Sequence, residues 1–316
     1  MTRDVDQVAI RAAEDSDLPA MRRLAASAFV ADPIDREALV GLLAGRPGQQ
    51  PELCLVAVAP RDVGRAEAAL LGFVIGWVRA GIGYIDAVAV DAGQRRQGIG
   101  RELVGAVEYR LARAGARTLR IGGSDWYYAW PGVDLAYTAA FRLAERAGYR
   151  RCGTIQNMTV GLRDRVPGSS RAVVQGPAAT RMRRAEPADA GPLDAFVARH
   201  FSRTWRREAS LALDRPVPTV FVGVRGEHVV GFGCHGVYRR DWFGPLGTDP
   251  ALRSGGIGAA LLGRCLDDLA AAGLEQAEIC WVGPTEFYAR TVGARCDREF
   301  ALFEKDLDAH LATPGS

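Results

Sequence analysis

Lysine is almost missing from this sequence: Lys305 is the only one, and arginine supplies every other side chain of that charge class. Acidic and basic residues nearly balance, at 37 against 40, and no dense basic run stands out. A nucleic-acid partner is therefore not expected. A lone lysine far from any glycine loop also excludes the Gly-x-x-x-x-Gly-Lys type of nucleotide site. A dinucleotide fingerprint is absent too, because after Gly98-Ile99-Gly100 the place of the required third glycine is held by Leu103. Cys54, Cys152, Cys234, Cys265, Cys280 and Cys296 include no Cys-x-x-Cys pair and mostly stand in apolar stretches. They read as buried free thiols rather than a disulfide framework, and no metal site is expected. No uninterrupted apolar run approaches bilayer length, and the polar, acidic start has no signal-peptide core. The expectation is a cytoplasmic protein without a membrane partner.

What is present is a loop written twice. Arg95-Arg96-Gln97-Gly98-Ile99-Gly100 and Arg253-Ser254-Gly255-Gly256-Ile257-Gly258 share the pattern Arg-x-x-Gly-x-Gly and lie 158 residues apart, half of the 316-residue length. Each follows an extended apolar segment and opens a helix. Glycines allow positive φ and close backbone approach, so successive N–H groups and a positive helix end converge on one point. That is a seat for a phosphate or diphosphate, with Arg95 or Arg253 adding charge beside it.

The duplication reaches beyond the loops. Arg11 to Asp17 parallels Arg183 to Asp189, Gly72-Phe73 parallels Gly231-Phe232, and Gly115 and Gly273 stand where a C-terminal glycine cap belongs. In the first copy Leu53–Ala59, Leu70–Arg79 and Tyr84–Val90 read as strands, followed by a helix with the apolar stripe Ile99, Leu103, Val107 and Leu111. The second copy repeats this with Thr219–Val224, Val229–Tyr238 and Phe243–Thr248, then Ile257, Leu261, Cys265 and Leu269. Proline, glycine and serine around residues 163–178 mark a linker. The expected organisation is an N-terminal domain over 1–163, a linker over 164–178 and a C-terminal domain over 179–316.

Val88-Ala89-Val90-Asp91 leading into Arg95–Gly100, and Leu246-Gly247-Thr248-Asp249-Pro250 leading into Arg253–Gly258, resemble the GNAT superfamily of acyl-CoA-dependent N-acetyltransferases. The late segments Ala144–Tyr149 and Phe287–Ala294 add to the likeness, which covers nearly the whole chain, once per half. It implies a mixed α/β (α+β) fold of two tandem GNAT domains, each a central sheet flanked by helices. It also implies acetyl-CoA as cofactor and a small-molecule primary amine as acceptor. The preceding strand would pair through its backbone with the pantetheine arm, a role that falls to Val88 and Val90, or Leu246 and Thr248.

Members of the family often use a tyrosine on the last helix, four or five residues before a glycine, as the acid that protonates the departing thiolate. Tyr288 stands five before Gly293, whereas the corresponding places in the first copy are Ala144 and Leu143. This favours the C-terminal half as catalytic. The base stays open among Asp86, Asp241, Glu286 and His235. Between Ile121 and Gly148 the first copy carries 13 extra residues compared with Ile279 to Gly293, within Ser124-Asp125-Trp126-Tyr127-Tyr128-Ala129-Trp130-Pro131-Gly132-Val133-Asp134. These aromatics are an acceptor platform, a seam between halves, or a cover for an apolar edge. Catalysis in the first half, with Tyr127, Tyr128 or Tyr137 as acid, is an alternative, and so is a non-catalytic acyl-CoA sensor. Protein acetylation is disfavoured by the lack of a peptide-docking extension. Oligomeric state and acceptor identity have no sequence signal.

Overall fold

Alternating β-branched runs and four-residue apolar repeats become strands and helices in a mixed α/β architecture. The computed structural model describes residues 8–32, 50–60, 69–124, 130–165, 173–174 and 179–307. Trp126, Tyr127 and Tyr128, and all of the expected linker except residues 164, 165, 173 and 174, lie outside the described residues. In chain order the first elements are β1 (Ala9–Ala12), α1 (Leu18–Ala28), β2 (Cys54–Val58), β3 (Leu70–Arg79), β4 (Ile82–Val90), α2 (Ile99–Arg113), β5 (Thr118–Ile121), β6 (Val133–Asp134), α3 (Thr138–Arg146) and β7 (Arg150–Gly161). They are followed by β8 (Val173–Val174), β9 (Thr180–Arg184), α4 (Ala190–His200), α5 (Arg203–Leu213), β10 (Val220–Arg225), β11 (His228–His235), β12 (Trp242–Thr248), α6 (Ile257–Ala271), β13 (Gln276–Val282), α7 (Thr285–Val292) and β14 (Arg295–Asp306).

Two compact units result. One is built from Met1–Ile155 together with Glu299–Ser316, the other from Gln156–Arg298. Each unit therefore holds a strand segment that the sequence places with the other half. A strand's alternation says which face it buries but not which neighbour it joins.

In the first unit the strand order is β1-β2-β3-β4-β5-β14. Neighbours are antiparallel except β4 and β5, which run parallel and pair only over Ile82–Ile85 and Thr118–Ile121. α2 is the crossover that a parallel pair requires. Its stripe Ile99, Leu103, Val107 and Leu111 is buried in one core with Leu55, Val74, Ile85, Leu119 and Phe303. A Cβ on Gly72 would meet Leu103, and one on Gly76 would meet Val107, so both glycines let α2 approach β3. Phe73, on the opposite face by alternation, meets Phe29 just past α1, with ring centroids 6.4 Å apart.

The second unit has the order β7-β13-β12-β11-β10-β9-β8, with β7 contributing from Gln156 onward. α6 packs Ile257, Leu261, Cys265 and Leu269 into its core with Met182, Val230 and Ile279. Across the sheet Phe196, Phe201 and Trp205 from and beside α4 and α5 surround Phe232. Here β12 and β13 pair in parallel only at Trp242–Glu278 and Phe243–Ile279.

The duplicated polar signature also has a structural form. Arg11 donates to both carboxylate oxygens of Asp17 at 2.6 and 2.9 Å, and Arg183 to those of Asp189 at 2.5 and 2.7 Å. In both units the aspartate also accepts from the N–H three residues earlier, at Glu14 or Glu186, closing a reciprocal capping box.

Candidate active site

In the first unit β4 outruns β5. Past Ile85 it continues through Asp86, Ala87, Val88, Ala89 and Val90 with no β5 residue opposite, so the parallel pair opens into a wedge. The N–H of Asp91 donates to the carbonyl of Leu71 at 2.8 Å, which makes their positions a hydrogen-bonded antiparallel pair. Alternation then turns the N–H and C=O of Val88 and Val90 away from β3 and into the wedge. The Val90 carbonyl accepts from Arg95 Nε at 3.1 Å, so that arginine is anchored at the head of the loop.

The loop is built by local rules. Asp91 Oδ1 accepts from the N–H of Gly93 at 2.9 Å and starts a short turn. Arg96 and Gly98 then take φ of 66° and 92°. Gly98 is the N-cap of α2, and the first helical N–H groups, having no intrahelical acceptor, point outward from it. Gly100 sits in the first turn of α2, where an added Cβ would come no nearer than 3.5 Å to Leu143.

The second unit repeats the device. The N–H of Asp249 donates to the carbonyl of Val230 at 2.9 Å, so Leu246 and Thr248 turn their backbone groups away from β11. Asp249 Oδ1 accepts from Ala251 N–H at 2.9 Å, Ser254 has φ of 66°, and Gly256 has φ of 83° as N-cap of α6. Gln97, Ile99, Gly255 and Ile257 fall within the two loops, and Ile99 and Ile257 are buried beneath them. Each unit thus offers an anion seat at a helix start beside a strand edge with outward backbone donors and acceptors. A diphosphate carrying an extended amide arm fits that combination.

The sequence profile of the acetyltransferase (GNAT) family matches residues 10–149 and again 186–294. The chain belongs to the GNAT family. Its members transfer acyl groups from acyl-CoA. No curated protein matches the sequence. Among solved structures, a GCN5-related glucosamine N-acetyltransferase region of a fungal multi-domain GH3 β-N-acetylglucosaminidase aligns with a TM-score of 0.74 at 19% identity. That alignment covers 94% of this chain and 38% of the fungal one, so the chain spans well under half of that protein. A GCN5-related N-acetyltransferase from Sphaerobacter thermophilus aligns with a TM-score of 0.70 at 22% identity over 98% of both chains. A tandem GNAT protein from the clavulanic acid biosynthesis pathway gives 0.66 at 15% identity, covering 98% of this chain and 100% of its own. At these identities the likeness concerns the fold.

The two GNAT sites differ where chemistry would occur. On β4 the pairing with β3 shifts between Ile75–Ala87 and Gly76–Ile85, so Asp86 is the extra residue of a β-bulge. Asp86 is buried, and it lines a cleft that is partly open to solvent. Val88, Val104 and Ala144 line the same cleft, as do Phe29, Trp130 and Tyr137. On β12 the shift falls between Gly233–Leu246 and His235–Phe243, leaving Gly244 and Pro245 in the bulge. The register that matches Val88 with Leu246 sets Gly244 where the first unit has Asp86.

Tyr288 shows the reverse difference. A Cβ on Gly258 would lie 3.7 Å from Phe287, as one on Gly100 lies 3.5 Å from Leu143, so Tyr288 answers to Ala144. Ala144 leaves room in the first cleft. Tyr288 is buried against Phe243, with centroids 6.2 Å apart, and against Phe287 at 5.0 Å. Burial, with a smaller contribution from Cys280, pushes its phenol up to about 12.

The remaining candidates stand in varied surroundings. His235 is buried, with Nε2 2.8 Å from Asp268 Oδ2 and its ring stacked near Phe221. Asp241 lies in the β11–β12 turn and pairs with Arg239 at 2.8 Å. Glu286 is exposed and pairs with Arg290 one turn on. Tyr137 begins the turn into α3, and its hydroxyl accepts from the N–H of Ala31 at 3.0 Å. Trp130, the described aromatic of the insertion, is buried and donates from its indole nitrogen to Asp32. Phe29 and Asp32 carry no sequence motif and join the site through distant partners, Asp32 through Trp130 and Phe29 through Phe73, Trp130 and Tyr137.

Among the described residues no helix is long and apolar enough to cross a membrane, and no cluster of His, Cys, Asp and Glu suits a metal ion.

Proposed function

We propose that the chain transfers the acetyl group of acetyl-CoA to a primary amine of a small molecule, and that transfer takes place in the cleft of the first unit. The observation that carries this reading is the bulge carboxylate of Asp86, buried in a cleft that begins at the strand edge beside the phosphate loop. Acetyl-CoA supplies an activated thioester. The Arg95–Gly100 loop would hold its diphosphate through backbone N–H groups, and Val88 would pair with the extended arm. From Val90 to Asp86 the strand runs away from the loop for roughly 13 Å, which sets the carboxylate toward the reacting end.

Asp86 would take a proton from the acceptor ammonium, directly or through one water, and pass it to solvent. The freed amine forms the C–N bond as the C–S bond breaks, and the second proton lost by the nitrogen passes through water to the departing thiolate. Positioning and dry surroundings supply much of the remaining acceleration.

A second reading keeps catalysis in the second unit with Tyr288 as the acid. What favours it is the raised phenol, which keeps its proton at neutral pH, next to an intact loop. One experiment separates the two. Steady-state thiol release is measured for D86N and Y288F, with acetyl-CoA affinity followed by calorimetry. Asp86→Asn is expected to lower kcat about 100-fold or more while leaving acetyl-CoA binding within about threefold. Tyr288→Phe is expected to stay within about fivefold of the parent. The opposite pattern would move the chemistry to Tyr288, and tight acetyl-CoA binding with no turnover on any amine would leave a sensor.

A further inference from the structure

The walls of the first unit's cleft narrow the acceptor. Its described lining holds two carboxylates, Asp86 and Asp134, both buried, and no lysine, arginine or histidine. An anionic group entering beside these two carboxylates meets like charge, whereas an ammonium meets opposite charge. One side is an aromatic wall: Phe29 lies 5.1 Å from Trp130 and 6.4 Å from Tyr137, centroid to centroid. The polar handles of that wall are already engaged within the protein. Trp130 donates to Asp32, and Tyr137 holds the N–H of Ala31. Among the described residues the wall therefore offers ring faces, suited to an apolar body and to a cation beside it, and few partners for hydroxyl groups. Asp134 is itself oriented by accepting from the N–H of Ala136 at 2.8 Å, so its carboxylate is held in place.

We infer that the acceptor of this cleft is an amine cation carried on an apolar, aromatic-sized body that bears no carboxylate, phosphate or array of hydroxyls. The inference rests on reading the cleft as the site of acetyl transfer. Among the described lining the aspartate side is where an ammonium meets charge. A substrate with a carboxylate on the carbon next to the amine would set that anion against Asp86.

The test uses the full chain with acetyl-CoA and three amines: phenethylamine, phenylalanine, which adds only a carboxylate, and glucosamine. Phenethylamine is expected to exceed phenylalanine in kcat/KM by about 100-fold and glucosamine by about tenfold or more. Equal or reversed preference, with turnover present, overturns the acceptor class while leaving acetyl transfer standing. Calorimetry covers the case in which no amine is acetylated. Phenethylamine binding at least tenfold tighter than 3-phenylpropanoate, and weakened by D86N, then supports the cation site and removes acetyl transfer from it. Equal or tighter binding of the phenylpropanoate anion, or no binding of either, overturns the inference.

Discussion

Asp17 and Asp189 show how much one carboxylate can organise. Each closes a capping box and receives an arginine on both oxygens, and each is held below the ordinary aspartate range first by that arginine's hydrogen bond. The folded protein thus binds these protons more weakly than the unfolded chain. The stabilisation is complete above the unfolded value of about 4 and drains away as pH falls through the lower folded value. Unfolding free energy measured by urea titration is therefore expected to fall steeply below about pH 4, and the slope to flatten in D17N/D189N. At neutral pH the double variant should lose about 1 kcal/mol per site, since the arginines remain partly exposed. An unchanged acid slope would show that other carboxylates govern it. The motif was legible in the sequence because all its partners lie within seven residues. Asp86 was legible only as a candidate, because its bulge arises from register with β3, which lies outside any local pattern.

Among the elements, the strand-loop-helix units are the most local and the most readable. Arg-x-x-Gly-x-Gly marks a left-handed N-cap at Gly98 and Gly256, and both glycines take it. A Cβ at Gly98 would come no nearer than 3.6 Å to Glu102, and at Gly256 no nearer than 3.9 Å to Val174. An alanine there is resisted by backbone conformation rather than crowding, at about 1–2 kcal/mol. This permits a comparison between units. Gly98→Ala is expected to weaken acetyl-CoA binding at one site and lower kcat/KM about tenfold or more. Gly256→Ala is expected to leave turnover within about threefold while weakening any binding at the second loop. Binding isotherms and thiol release on both variants check this, and loss of activity in G256A alone would relocate the catalytic unit. The wedge between β4 and β5 was not readable in this way. Where two parallel strands part depends on how far each runs, and β5 ends at Ile121 while β4 continues to Val90.

At the largest scale, the first unit is completed by a strand that arrives last. In the first unit β14 pairs Phe303–Asp306 with Ile121–Thr118 of β5, and Phe303 enters the core. The sole lysine lies on that strand. Lys305 Nζ reaches Glu108 on α2 at 2.8 Å and the carbonyl of Ala147 at 2.9 Å, with both charged side chains largely buried. Lys305→Met leaves Glu108 buried without its cation and is expected to cost about 3 kcal/mol, read as a shift in the urea midpoint. Adding Glu108→Gln should recover part of that loss, because a neutral amide is cheaper to bury. No recovery would mean that strand packing, and not the charge pair, is what the lysine secures.

Sequence alone determined the duplication, the two glycine loops, the family and most strand and helix identities, because each depends on residues within a turn or a strand of one another. Tertiary structure decided which strand completes each sheet, where the parallel strands separate, and how the first unit opens a cleft with a carboxylate and an aromatic wall. Those outcomes follow from pairing and packing between distant segments. Tyr288 and Ala144 illustrate the difference: one side chain is a motif match buried among aromatics, and the other owes its importance to the room it leaves.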